Sequence, residues 1–279
     1  YESYLVRSVI SEFSGFLLFK EISNRLKKEG NRDLGKLFQF LARDEARHAG
    51  FLSRALVAEG IEVDLPHLGG KRAATWFPIS WVIYSVYLSE KIGYWRYILM
   101  DRHLKANPGE AFAPLFDFFE PWCQDENRHG DCFTVMMRCW PGITKGWRGK
   151  LLSRFFLWSV FLTHTLTVCE RGEFYELLGI EPKAFDEEVI KRTNHTSKNA
   201  FPWVYNLEDD KFWDLRNKII ESFRSFVSTK GITKPVKFIK FVSLIFKQFA
   251  LPMEETNALR YDKDVNFTGG DILNFWTDK

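Results

Sequence analysis

Residues 44–48 read Asp44-Glu45-Ala46-Arg47-His48, and residues 125–129 read Asp125-Glu126-Asn127-Arg128-His129. Both spell Asp-Glu-x-Arg-His, and their glutamates stand 81 positions apart as an internal repeat. On a helix, a Glu and a His three residues later lie about one turn apart on the same face. Two such pairs need only two further single carboxylates to complete the ligand set of a two-metal centre inside a helical bundle.

Working outward, apolar residues recur at steps of three and four through most of the chain and seldom alternate with polar ones, so the expected architecture is helical, without strands. Breakers divide the first half into four long helices, expected over 4–28, 33–59, 80–105 and 110–139. The connection from Gly60 to Thr75, with Pro66 and Gly69-Gly70, is the long one, while each neighbouring pair is joined by a short turn. Two helical hairpins joined by one crossover make an all-α, ferritin-like four-helix bundle. The expected division is 1–142 for the bundle and 143–279 for additional C-terminal helices packed on it, near 144–178, 183–199 and 210–229, with a last helix after Pro235.

Each bundle helix has a core-facing seam. The first carries Leu5, Val9, Glu12, Phe16 and Phe19; the second Phe38, Leu41, Glu45, His48 and Leu52. The third carries Ile83, Tyr87, Glu90, Tyr94 and Tyr97, and the fourth Leu115, Phe119, Trp122, Glu126, His129 and Phe133. Glu12, Glu45, Glu90 and Glu126 thus occupy positions where apolar residues belong. Burying four carboxylates without cations costs many kcal/mol. Two metal ions held by these glutamates with His48 and His129 compensate the charge, and such an oxygen-and-imidazole set suits iron or manganese. Asp44 and Asp125 are placed to accept the second ring N–H of the histidine in the opposite motif, with Arg47 and Arg128 balancing their charge. Glu2, Glu21, Glu120 and Glu221 fall off the seams or lack a matching motif and are expected as surface charges. His67, His103, His164 and His195 lack ligand spacing and are expected to be structural or exposed. Pro121 removes a backbone donor and should kink or start the fourth helix.

With 46% apolar residues the chain can bury a large core, and 27 Phe, 10 Trp and 9 Tyr suit a thick helical one. A balance of 39 basic to 36 acidic residues argues against nucleic acid. Cys123, Cys132, Cys139 and Cys169 form no Cys-x-x-Cys pair and read as reduced thiols, Cys132 and Cys139 as small buried residues. The chain opens on Tyr1 rather than Met, so an upstream stretch is expected.

The stretches Glu12 to Leu18, Arg43 to Phe51, Tyr87 to Tyr97 and Trp122 to Asp131 together resemble the aerobic magnesium-protoporphyrin IX monomethyl ester oxidative cyclase family. The likeness covers most of residues 1–230, including Arg154-Phe155-Phe156 and Thr193-Asn194, and weakens beyond. It implies an O2-dependent di-iron monooxygenase of chlorophyll biosynthesis that oxidises the 13-methylpropionate arm of the porphyrin and closes the isocyclic ring, giving divinyl protochlorophyllide. Glu12, Glu45, His48, Glu90, Glu126 and His129 would then be the catalytic iron ligands. It also implies a ferredoxin-like donor of NADPH-derived electrons, since the chain has neither a dinucleotide-binding glycine motif nor an iron–sulfur cysteine cluster. A small accessory protein is implied as well, as is peripheral attachment to a photosynthetic membrane, plastid or bacterial, on its stromal or cytoplasmic side. Two alternatives remain: a ferritin-like ferroxidase, which oxidises Fe(II) without porphyrin turnover, and a non-catalytic structural paralogue of the cyclase.

The longest uncharged apolar run, 155–168, has 14 residues, so no transmembrane helix is expected. Val236 to Leu251 instead patterns as an interfacial basic helix, with Lys237, Lys240 and Lys247 beside Phe238, Ile239, Val242, Ile245, Phe246 and Phe249. A core helix with a solvated lysine face accounts for the same pattern.

Overall fold

A computed structural model describes residues 2–65, 75, 77–111, 114–139 and 141–256 of the chain. Tyr1, His67, the Pro66 and Gly69-Gly70 part of the crossover and everything after residue 256 lie outside the described residues.

The four bundle helices are α1 (Glu2–Lys28), α2 (Arg32–Ala58), α3 (Ile79–Ala106) and α4 (Phe119–Cys139). Helix α1 pairs with α2 and α3 with α4 as two hairpins. The first hairpin turns on Gly30, whose φ of +87° favours a residue without Cβ. Asn31 then caps α2 by accepting from the Leu34 N–H at 3.3 Å. Rings of Phe19, Phe38 and Phe133, with centroids 5.9–6.0 Å apart, close the core between α1, α2 and α4. All the seam residues are buried except Phe16, which is half-buried.

The fourth helix is shorter than expected. Pro108–Glu110 and Pro114–Phe118 form 3₁₀ turns rather than α-helix, and α4 begins at Phe119. Pro121 therefore sits in the first turn, where a missing N–H leaves no intrahelical bond unmade. It starts the helix rather than kinking it.

Behind the bundle come α5 (Gly146–Glu170), α6 (Gly172–Leu177), α7 (Pro182–Ser197), α8 (Asp210–Ser228) and α9 (Lys234–Phe249). Helices α5 and α7 lie on α3: the Tyr84 and Phe156 rings stack at 5.5 Å, and Trp95 donates to Thr196 Oγ1 at 2.9 Å. By length and composition alone α5 is apolar enough to cross a membrane, a test that core helices also pass. Three of its polar residues, Ser153, His164 and Thr165, are buried, while Arg148, Lys150, Thr163 and Glu170 are exposed.

The expectation of no strands is corrected by a two-stranded antiparallel ribbon, β1 (Trp203–Tyr205) with β2 (Met253–Glu255). Three-residue strands are too short to show a period of two in the sequence. Arg154 ties the ribbon region to α5 by donating to the Phe249 and Leu251 carbonyls at 2.6 and 2.7 Å.

A buried polar network joins α5, α7 and α8. Asp186 accepts from His164 Nδ1 at 2.7 Å, Thr165 Oγ1 at 2.9 Å and Arg216 Nε at 2.7 Å. His103 is structural, bridging Glu110 at 2.6 Å and the Leu178 carbonyl at 2.8 Å, whereas His195 is exposed. Glu2, Glu120 and Glu221 are exposed as expected. Glu21 is not: it is partly buried and accepts from the Thr75 N–H at 3.0 Å, a role set by the crossover and invisible in the seam pattern. All four cysteines are free, but Cys132 is half-buried and Cys139 exposed, because both fall off the α4 core stripe.

Candidate metal centre

Each bundle helix delivers its seam carboxylate to one place. Glu12, Glu45, Glu90 and Glu126, with His48 and His129, are all at most 7% exposed, which for four carboxylates decides that compensation is needed. Donor atoms of Glu45, Glu90, Glu126 and His129 lie within 4.8 Å of one another, and so do those of Glu12, Glu45 and His48. Glu45 belongs to both groups. Glu126 also reaches the second, with Oε1 3.5 Å from His48 Nδ1.

Both imidazoles turn Nδ1 inward. His48 Nδ1 is 3.4 Å from Glu12 Oε2, and His129 Nδ1 is 3.1 Å from Glu45 Oε1 and 3.4 Å from Glu90 Oε2. Yet His48 Nδ1 and Glu45 Oε1 have no partner in hydrogen-bonding geometry. Atoms this close but not aimed at each other fit donors aimed at shared ions, and this donor set fits two cations of the carboxylate–imidazole class.

The outer nitrogens face the opposite motifs. His48 Nε2 is 3.4 Å from Asp125 Oδ2, and His129 Nε2 is 3.6 Å from Asp44 Oδ2. Arg47 donates to Asp125 at 2.6 Å and lies 3.5 Å from Asp44; Arg128 pairs with Asp125 at 3.2 Å. Burial opposes charge on His48, but the bond to Asp125 and the nearby Glu12 carboxylate prevail and hold it at about 9. His129 is raised in the same way by Asp44 and Glu45. The bond from His48 keeps Asp125 down at about 2. Burial, with repulsion from Glu90 and Glu12, pushes Glu45 well up, and burial with Glu12 does the same to Glu126. Glu90 is instead lowered: burial opposes this, but its contacts with His129 outweigh it.

Three supporting residues were not foreseen. Trp122, one turn before Glu126, donates its indole N–H to Glu126 Oε1 at 2.6 Å. Lys91, 1% exposed, donates to Asn127 Oδ1 at 2.8 Å and to Asp131 at 2.5 Å, pinning α3 to α4 beside Glu90. Gly130 leaves room for it, since a Cβ there would stand 2.5 Å from the lysine Cε. The i, i+4 spacing of Trp122 and Glu126 was the one available signal for the first; the others depend on which helices meet.

A cavity of about 280 Å³ opens between α1 and α3 onto Glu12, Glu45, Glu90 and Glu126, with Arg96 and Tyr97 at its side.

The rubrerythrin family profile matches residues 3–137, the stretch that carries all six side chains. A magnesium-protoporphyrin IX monomethyl ester [oxidative] cyclase of Prochlorococcus marinus (strain MIT 9313) is 74% identical over 261 residues, 94% of this chain and 75% of that protein. The magnesium-protoporphyrin IX monomethyl ester [oxidative] cyclase 2 of Thermosynechococcus vestitus is 49% identical, over 89% of this chain and 70% of the relative, and cyclase 1 of Nostoc sp. is 50% identical, over 86% and 68%. No solved structure matches the chain. A buried carboxylate–histidine centre in a rubrerythrin-like bundle, together with identity over nearly the whole chain, places it in one family. The chain belongs to the magnesium-protoporphyrin IX monomethyl ester [oxidative] cyclases.

Proposed function

We propose that this chain is the O2-dependent oxygenase that converts magnesium-protoporphyrin IX 13-monomethyl ester to divinyl protochlorophyllide by forming the isocyclic ring. The observation that carries the reading is the convergence of Glu12, Glu45, His48, Glu90, Glu126 and His129, in a chain 74% identical to a protein of that name. Two irons bound by these side chains would supply the activation of O2 and the removal of hydrogen from the methylpropionate arm.

The protein's own part is positioning and electrostatics. Asp125 accepts the outer N–H of His48, which fixes the tautomer that presents a lone pair at Nδ1, while Asp44 stands 3.6 Å from His129 Nε2 on the same side of the second imidazole. Trp122 fixes the orientation of Glu126. Leu18, Phe19 and Val86 supply the apolar part of the cavity wall.

Electrons come from outside, from a ferredoxin-like donor in this reading. Peripheral attachment to a photosynthetic membrane is supported by α9, where Val236, Ile239 and Phe246 are exposed beside Lys240 and Lys247. The test supplies magnesium-protoporphyrin monomethyl ester, reductant and O2 to the iron-loaded chain with its accessory partner. Protochlorophyllide is the expected product; rapid Fe(II) oxidation with no porphyrin turnover would favour the ferroxidase alternative instead.

A further inference from the structure

Where α1, α3, α5 and α6 meet, the chain buries a second set of polar groups that the metal centre does not use. Tyr4 and Tyr175 are 3% and 0% exposed, and neither hydroxyl has a hydrogen-bond partner in the protein. Arg96 on α3 and Arg171 at the end of α5 each have a buried Nε that is also without one. Arg96 donates from Nη2 to the Tyr97 hydroxyl at 2.9 Å, and its guanidinium lies 4.7 Å from that ring's centroid. Arg171 lies 5.4 Å over the Tyr4 ring.

No carboxylate among the described residues answers these cations. Glu12, which acts on Tyr4 electrostatically, turns to His48, and Glu170 pairs with Arg7 at 3.5 Å. Burial and the neighbouring Arg96 both lower the Arg171 group, as expected of two cations brought together without an anion. Each unpaired buried donor costs about 1–3 kcal/mol. Four in one place, two of them on guanidinium groups, all offer N–H or O–H and so call for an acceptor of negative charge.

Arg96 carries the set to the metal centre. Arg96 and Tyr97 line the same 280 Å³ cavity as Glu12, Glu45, Glu90 and Glu126. That space is just below the roughly 300 Å³ lower bound for pockets that enclose a whole drug-sized ligand, so it suits a side arm and not a macrocycle.

We propose that Arg96, Arg171 and the hydroxyls of Tyr4 and Tyr175 form a carboxylate-binding subsite, and, resting on the function proposed above, that it holds the free propionate of the substrate. A monomethyl ester of this porphyrin carries its esterified and free propionates on neighbouring pyrrole rings, pointing the same way. Binding the free arm at Arg96 sets the esterified arm toward the carboxylate cluster. A planar guanidinium suits a carboxylate because it donates two parallel bonds. The subsite would therefore read which arm is esterified and reject the diester.

The test titrates magnesium-protoporphyrin monomethyl and dimethyl esters into the full chain, read by porphyrin fluorescence. The wild type is expected to favour the monoester on the order of 100-fold. Arg96→Gln and Arg171→Gln should bring monoester affinity down to the diester level and leave diester affinity unchanged, and Arg96→Lys should restore part of the preference. The Tyr4→Phe, Tyr175→Phe pair keeps both cations and should lose part of it, which preserves the test if an arginine variant does not fold. Equal binding of both esters by the wild type, or an undiminished preference in the variants, overturns the subsite. If the wild type binds neither ester, the functional reading fails and propionate decides the subsite: a rise in Tm for the wild type but not for Arg171→Gln upholds it, and no rise in the wild type overturns it.

Discussion

The cluster at Glu12, Glu45, Glu90 and Glu126 and the network at Asp186 are buried alike but balanced differently. In the layer behind the bundle, one carboxylate receives three donors at 2.7–2.9 Å, and Arg216, itself 1% exposed, cancels its charge. In the bundle, four carboxylates face two imidazoles at 3.1–3.5 Å, with inward atoms left out of hydrogen-bonding geometry. The first network balances its carboxylate against the Arg216 cation and so holds helices together, even though His164 Nε2 and Arg216 Nη1 have no hydrogen-bond partner. The second sets four carboxylates against two imidazoles and leaves His48 Nδ1 and Glu45 Oε1 unpaired, so its positions are better explained by metal binding than by stability.

The largest expected effect breaks the charge-balanced side. Asp186→Ala leaves Arg216 buried without its partner and should cost about 3–5 kcal/mol in denaturant unfolding. An unchanged midpoint would mean that the network is not what joins α5, α7 and α8.

Acid should act on the two regions with opposite sign. Burial holds the His164 imidazole below its ordinary value despite Asp186. The unfolded chain therefore binds a proton there that the folded chain does not. This contribution is full above about pH 6.5 and is lost as pH falls, by at most about 1.4 kcal/mol per pH unit. Glu45 and Glu126 are raised, so in the metal-free bundle the folded chain binds the extra protons and stability rises as pH falls. Hydrogen exchange between pH 7 and 5 should show α7 and α8 loosening while α2 and α4 tighten.

Asp125→Asn weakens the group that orients His48 and should lower metal affinity roughly 10–100-fold, read by competitive chelation. Glu45→Gln should remove metal binding yet stabilise the metal-free chain by about 1 kcal/mol, because it relieves repulsion. Arg128→Ala, at an exposed side chain, should change stability by less than about 0.5 kcal/mol.

The contrast also explains what the sequence makes legible. The bundle cluster repeats one motif on two helices at seam positions, so Glu45/His48 and Glu126/His129 stand out from the pattern alone, and Glu12 and Glu90 follow from the seams. Asp186, His164 and Arg216 come from three helices with no shared spacing, and only the packing brings them together. The same holds for Tyr4, Arg96, Arg171 and Tyr175. The start of α4 was half legible: Pro121 marks a first turn, but nothing in the apolar spacing of residues 110–118 separates a 3₁₀ turn from an α-helix.

The account rests on the bundle cluster being a two-metal site, and anaerobic Fe(II) titration of the full chain tests this most directly. Two irons per wild-type chain are expected, and less than one in a Glu45→Ala, Glu126→Ala double variant that keeps its helical content. A wild-type chain that binds no iron, or a variant that still binds two, would contradict it.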